Sequence, residues 1–184
     1  MINKIPVIGV MGSRENRHDA YALPLGRAIA ERGCHLLTGG GGGVMLSAME
    51  GFVSVSPRKG LTIGILPTKA KDDGTFELMP TYPNASVELA ILSPLGVFDG
   101  SDANQISRNF INIMSSDVIV ALPGSRGTRN EVDLAMRFGK PVICFGPASS
   151  FEGFSAKAPR SEKLHEVLAF LEQHLQDFTP EKQP

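Results

Sequence analysis

Five consecutive glycines, Gly39, Gly40, Gly41, Gly42 and Gly43, separate the short apolar run His35-Leu36-Leu37-Thr38 from Val44, Met45, Ala48, Met49, Phe52 and Val53, which recur at helical spacing. Glycine in such numbers raises the conformational entropy of the unfolded chain, so the fold must gain something specific at this point. Between the end of a strand and the start of a helix, residues without a Cβ let main-chain N–H groups approach an anion that the helix dipole already favours. The competing reading is a flexible turn, or a place where helix and sheet pack closely. Met45 and Met49, one turn apart on the apolar stripe, read as core rather than as ligand contacts.

The same punctuation recurs along the chain. Residues 5–11 are an almost unbroken apolar run ending in Gly12-Ser13, the pattern of a parallel strand buried on both faces. Residues 19–32 repeat Ala22, Leu25, Ile29 and Ala30 at helical spacing and stop at Gly33. Further strands are predicted over 61–66, 87–92, 117–122 and 142–145, and further helices over 104–115, 128–138 and 161–176. Residues 69–83 read as a polar loop and 179–184 as a frayed tail. Strands alternating with helices predict an α/β, Rossmann-like three-layer sandwich with a mostly parallel central sheet of about six or seven strands. No repeat or linker divides the 184 residues, so 1–184 is expected to form a single domain. In such sheets ligands sit beyond the carboxyl ends of the strands near the topological switch point, after the first, second and fifth predicted strands.

Composition removes several function classes. A formal net charge of −1 gives no basic footprint for tracking a nucleic-acid backbone, although main-chain amides can still bind a small anion. Neither a signal peptide nor a run of about 18 apolar residues is present, so a cytoplasmic protein without membrane partners is expected. Cys34 and Cys144 sit in separate apolar runs and read as buried small hydrophobes. The four histidines, His18, His35, His165 and His174, make no metal-ligand spacing, and no metal is expected. Gly9 and Gly12 lack dinucleotide-fingerprint spacing, no Lys-Ser or Lys-Thr follows the glycines, and there is no G-x-S-x-G elbow.

A second strand–loop–helix junction runs Pro123-Gly124-Ser125-Arg126-Gly127-Thr128-Arg129-Asn130-Glu131. It could bind phosphate by the same physics. Alternatively, Thr128-x-x-Glu131 is a capping box, in which threonine and glutamate satisfy each other's main-chain donors and Glu131 has no chemical role. Asn104, Arg108 and Asn112 fall four apart on one helical face, and two asparagines around an arginine look more like ligand contacts than like a solvated face of Lys and Glu. Ser13-Arg14 after the first strand is a similar, weaker feature.

Together these residues resemble the LOG-like Rossmann family, which includes cytokinin-activating phosphoribohydrolases, proteins often labelled "possible lysine decarboxylase", and molybdenum cofactor carrier proteins. The resemblance spans about residues 5–146 and rests on Gly12-Ser13, Thr38-Gly39-Gly40, Ile63-Gly64-Ile65-Leu66-Pro67, Arg108, and residues 123–131 in place of P-G-G-x-G-T-x-x-E. It implies a homo-oligomer and a ligand site built from Gly12, Ser13, Arg14, Thr38, the five glycines, Arg108, Asn109 and Pro123, Gly124, Ser125, Arg126, Gly127 and Thr128. In the hydrolase branch Arg108 and Glu131 would be the catalytic pair that releases a base from a nucleoside 5'-monophosphate. Ser125, Asn109 and Asn130 depart from that branch, and Arg108-Asn109 together with Asn130-Glu131-Val132 is closer to the carrier branch. The resemblance therefore implies a binding protein for a phosphate-bearing nucleotide or nucleotide-like ligand, such as molybdenum cofactor or a nucleoside monophosphate, with no required cofactor. A LOG-type phosphoribohydrolase giving free base and ribose 5-phosphate is the alternative. Decarboxylation would want a Schiff-base lysine, and neither glycine junction has one.

Overall fold

The computed structural model describes residues 5–96, 98 and 106–176. Along the chain these form β1 (Val7–Met11), α1 (Asp19–Glu31), β2 (His35–Thr38), α2 (Val44–Val53), β3 (Thr62–Ala70), β4 (Phe76–Leu78), β5 (Leu89–Ser93), α3 (Arg108–Met114), β6 (Val118–Ala121), α4 (Arg126–Arg137), β7 (Val142–Phe145), β8 (Arg160–Ser161) and α5 (Leu164–Leu175). The strands pair in the order β5-β3-β2-β1-β6-β7-β8, every pair parallel, and β4 runs antiparallel along the far end of β3. This is the mostly parallel α/β sheet that the strand–helix alternation predicts.

Alternation along each strand divides the core in two. Ile8 and Val10 of β1 face one way with Val118 and Val120 of β6, packing under α1, α2 and α5 through Leu25, Ile29, Met49, Phe52, Val167 and Leu171. Met11 faces the other way with Ile119, Ala121, Val142 and Cys144, under Ile113 of α3 and Val132 and Ala135 of α4. Because both faces are covered, the central strands are apolar at nearly every position. Cys34 and Cys144 are free, and burial pushes both thiols up to about 11.

Several predicted boundaries change. Residues 69–83 are not simply a loop, because β3 continues to Ala70 and β4 folds back on it, with Thr68 opposite Leu78. Every residue of β4 is exposed, so no apolar alternation marked it as a strand. The helix predicted over 104–115 starts at Arg108, with Ser107 extended before it, and Asn104 lies outside the described residues. Ser161, predicted to open the last helix, instead pairs with Phe145 in the two-residue β8. The predicted frayed tail, 179–184, also lies outside the described residues. No described helix is long and apolar enough to cross a membrane.

Candidate functional site

β1 lies between β2 and β6, and the chain leaves those neighbours toward opposite sides of the sheet, so the switch point falls at the carboxyl end of β1. Ser13 joins the two glycine junctions there. Its N–H donates to the Pro123 carbonyl (3.1 Å) and its carbonyl accepts from the Val44 N–H at the start of α2 (2.9 Å). Over these ends opens a cavity of about 700 Å³. Gly12, Ser13 and Arg14 line it from β1, Gly39 from β2, and Pro123, Gly124, Ser125, Gly127 and Thr128 from the β6–α4 junction. Arg126, in the first turn of α4, lies off this wall.

The capping box does not form. Helix α4 begins at Arg126 with Ser125 before it and no side-chain cap, which makes Thr128 the third helical residue rather than the cap. Its early N–H groups therefore have no capping side chain, and they lie beside the cavity, where the positive end of the helix dipole favours an anion.

The five glycines divide unequally. Gly39 lines the cavity, whereas Gly40, Gly41, Gly42 and Gly43 lie off its wall, as does Thr38. Thr38 is buried, and its hydroxyl accepts from the Gly40 N–H at 2.8 Å. Gly43 has φ of 60°, and a Cβ there would collide with the Ser13 carbonyl oxygen. Gly41 leaves room for Tyr82, whose Cε1 would stand 3.0 Å from an added Cβ. Close packing explains these four glycines, and only the first faces the cavity.

Arg108 and Glu131 face each other across the α3–α4 contact. Arg108 is 6% exposed, and its Nη1 donates to the carbonyls of Gly39 (2.5 Å) and Ile65 (3.1 Å), so the arginine pins α3 across the end of β2 and the middle of β3. Its Nε has no partner among the described residues. Glu131, also at the cavity wall, is 7% exposed and accepts from Asn112 Nδ2 at 3.2 Å. Burial pushes its carboxyl up to about 7, against the opposing pull of the Arg108 charge and the Asn112 hydrogen bond. Asn109, likewise at the wall, donates to Asn130 Oδ1 (3.1 Å) and the Gly127 carbonyl (3.4 Å), locking α3 to α4. Asn109 thus serves both the interhelical contact and the cavity wall, whereas Asn112, fully buried and off the wall, serves the contact alone.

Sequence reasoning missed several lining residues. Tyr82, from the supposed polar loop, lines the cavity, and the Arg108 guanidinium carbon lies 5.6 Å from its ring centroid. Phe98, His18 and Ser150 also line it, as does Met45, which is buried as expected of a core residue. Tyr82 and Phe98 carried no local signal, because what matters is where the chain returns after β4 and β5. His18, just before α1 with φ of 48°, has a backbone that few non-glycine residues adopt.

Two solved structures share this architecture across almost their whole length. The molybdenum cofactor carrier protein of Chlamydomonas reinhardtii is 30% identical, with a TM-score of 0.70 covering 94% of this chain and 99% of that one. The molybdenum cofactor binding protein of the phototrophic bacterium Rippkaea orientalis is 32% identical, with a TM-score of 0.70 covering 92% and 97%. A protein of unassigned function from Archaeoglobus fulgidus is 33% identical over 152 residues, 82% of this chain and 86% of its own length. The SLOG cluster4 family model matches residues 5–174, which takes in every strand and both glycine junctions. By that match, the chain belongs to the SLOG cluster4 family.

Proposed function

We propose that this protein binds a small phosphate-bearing nucleotide or nucleotide-like ligand and holds it without converting it, with a molybdenum-cofactor-type pterin phosphate as the leading class. The observation that carries this reading is the cavity at the switch point, where the uncapped start of α4 meets Ser13 beneath the buried Arg108. Likeness to two proteins described as carrying or binding molybdenum cofactor supports it. So does the state of Arg108, which already spends Nη1 on two main-chain carbonyls and is held as a strut. Among the described residues the wall holds no cysteine and one histidine, His18, so a molybdenum-bearing ligand would be gripped by phosphate and ring rather than by metal ligation. The wall also holds no described lysine for decarboxylase chemistry.

One observation favours phosphoribohydrolase activity as a second reading. A carboxyl held near 7 is suited to moving a proton at neutral pH, and Glu131 has that character beside an arginine. Incubating the protein with purine and pyrimidine 5'-monophosphates separates the two. Binding without release of free base is the expected result. Base release that disappears in Glu131→Gln while ligand binding survives would establish the hydrolase instead. Self-association is part of the proposal and is supported by Leu89, Ile91 and Leu92 of β5, which lie exposed on a strand whose described pairing is with β3 alone. Light scattering behind size exclusion should report a mass at least twice that of the chain.

A further inference from the structure

The proposed ligand has two chemically different ends, and so does the cavity. Following the sheet order, the phosphate-friendly end lies over β6 and β1, at Ser13 and Gly124 to Thr128. The next strand contributes Gly39 with Arg108 bound to its carbonyl, and beyond that come Tyr82 and Phe98, both half-buried at the same wall. From β6 to β2 is two strand spacings, about 10 Å, comparable to the reach from the phosphate of a nucleotide to its ring.

Tyr82 is held in place from several sides. Asn84 N–H donates to the Gly40 carbonyl (2.9 Å) and Asn84 Nδ2 to the Gly41 carbonyl (2.8 Å), which clamps the segment onto the glycine loop. The bare Gly41 lets the Tyr82 ring come close, and Arg108, itself fixed by two carbonyls, stands against that ring. Thr81, immediately before it, has φ of 72°, a strained backbone for a β-branched residue. A half-buried aromatic ring positioned at the cost of local strain, at the apolar end of a cavity whose other end suits phosphate, has a definite use.

We propose that Tyr82 is the stacking platform for the flat heterocycle of the ligand, making this protein selective for phosphates that carry a purine or pterin ring over simple sugar phosphates. The inference rests on the phosphate-binding reading above and adds a ring subsite to it. It also gives the glycine loop a second purpose, since its lack of side chains admits the tyrosine.

Titration calorimetry with adenosine 5'-monophosphate, neopterin monophosphate and ribose 5-phosphate tests this. The two ring-bearing phosphates should bind about tenfold or more tighter than ribose 5-phosphate, the gain that one aromatic stack gives, and the tighter of them identifies the ring source. Tyr82→Ala should remove that gain while leaving ribose 5-phosphate affinity within about twofold, and Tyr82→Phe should keep it. The chain has no tryptophan and two tyrosines, so quenching of tyrosine emission by the ring-bearing ligands that vanishes in Tyr82→Phe reports the stack directly. A gain that persists in Tyr82→Ala, or an equal loss for all three compounds, would overturn the ring subsite and leave phosphate binding standing. If none of the three binds wild-type protein, the phosphate-binding reading fails, and the ring subsite fails with it.

Discussion

The two glycine-rich junctions of this protein are alike in sequence grammar and unequal in use. Each follows a parallel strand and opens a helix at the same end of the sheet. At the first, something presses on all five glycines: the Arg108 guanidinium on Gly39, Leu66 on Gly40, Tyr82 and Met45 on Gly41, the Arg14 carbonyl on Gly42, and Ser13 and Arg14 on Gly43. At the second, Gly124 is crowded too, by Thr128 and the Ser13 N–H, but Gly127 has nothing within 4 Å of where a Cβ would stand, and both line the cavity. The richer glycine run is therefore a packing joint that contributes Gly39 to the wall, while the poorer one sets a packed glycine, Gly124, beside an open one, Gly127, both facing the ligand space. Counting glycines locates a loop, but only the neighbours reveal whether backbone or ligand comes close.

The largest effect expected from breaking this contrast is at the crowded junction. Gly43→Ala places a Cβ against main-chain oxygen at a positive φ, combining backbone strain with overpacking, and should lower stability by about 3 kcal/mol or more. Urea unfolding followed by circular dichroism measures it. A loss below about 0.5 kcal/mol would mean that the loop yields, and the packing account of the glycines would be wrong.

Next comes Glu131, which belongs to the open junction but is buried behind it. Its carboxyl sits at about 7 in the fold against an ordinary value of 4.5, so the folded state keeps a proton that the unfolded chain loses as pH rises. Stability from this group is fully present below about pH 4.5, declines through the window up to 7, and is lost above it. At pH 8 the deficit is about 3 kcal/mol. Glu131→Gln should remove this slope, so the stability gap between variant and wild type should open from near zero at pH 4.5 toward that figure at pH 8. A gap that does not change with pH would place the carboxyl near its ordinary value.

These cases show which parts of the molecule could be read from its sequence. β1, β2, β6 and β7 were legible because burial on both faces leaves continuous apolar runs, α1 because one face is covered, and α2 because its buried apolar residues recur at helical spacing. β4 and β8 were not, since one is solvated throughout and the other has two residues. At the site, Ser13, Gly124 and Arg108 stood out as residue types at strand ends or in unusual company. The meaning of Glu131 was hidden by a local pattern: Thr128-x-x-Glu131 imitates a capping box, but α4 starts two residues earlier and the glutamate turns to Asn112 on another helix. Tyr82 was invisible because the position of its ring depends on Asn84, Gly41 and Arg108, none of which is its sequence neighbour in any pattern that periodicity can detect.

The smallest stability change, and the sharpest form of the contrast, is expected from Gly127→Ala. The added methyl meets no atom within 4 Å, and alanine suits the first turn of a helix better than glycine, so unfolding free energy should stay level or rise by about 0.5 kcal/mol. Yet Gly127 lines the cavity together with Ser125 and Thr128, where the proposed phosphate would approach the N–H groups of α4, so the methyl is expected to crowd that approach. Affinity for ribose 5-phosphate, which has no ring to compensate, should therefore fall by about tenfold or more while the fold is unharmed, as loss of about one charged hydrogen bond would produce. Gly43→Ala should differ in weakening the fold first, and because its Cβ presses on the Ser13 carbonyl at the wall, its remaining folded fraction should also bind less tightly. If the methyl at Gly127 left ribose 5-phosphate affinity intact, the open junction would not be where the phosphate sits, and the roles assigned to the two glycine loops would have to be exchanged.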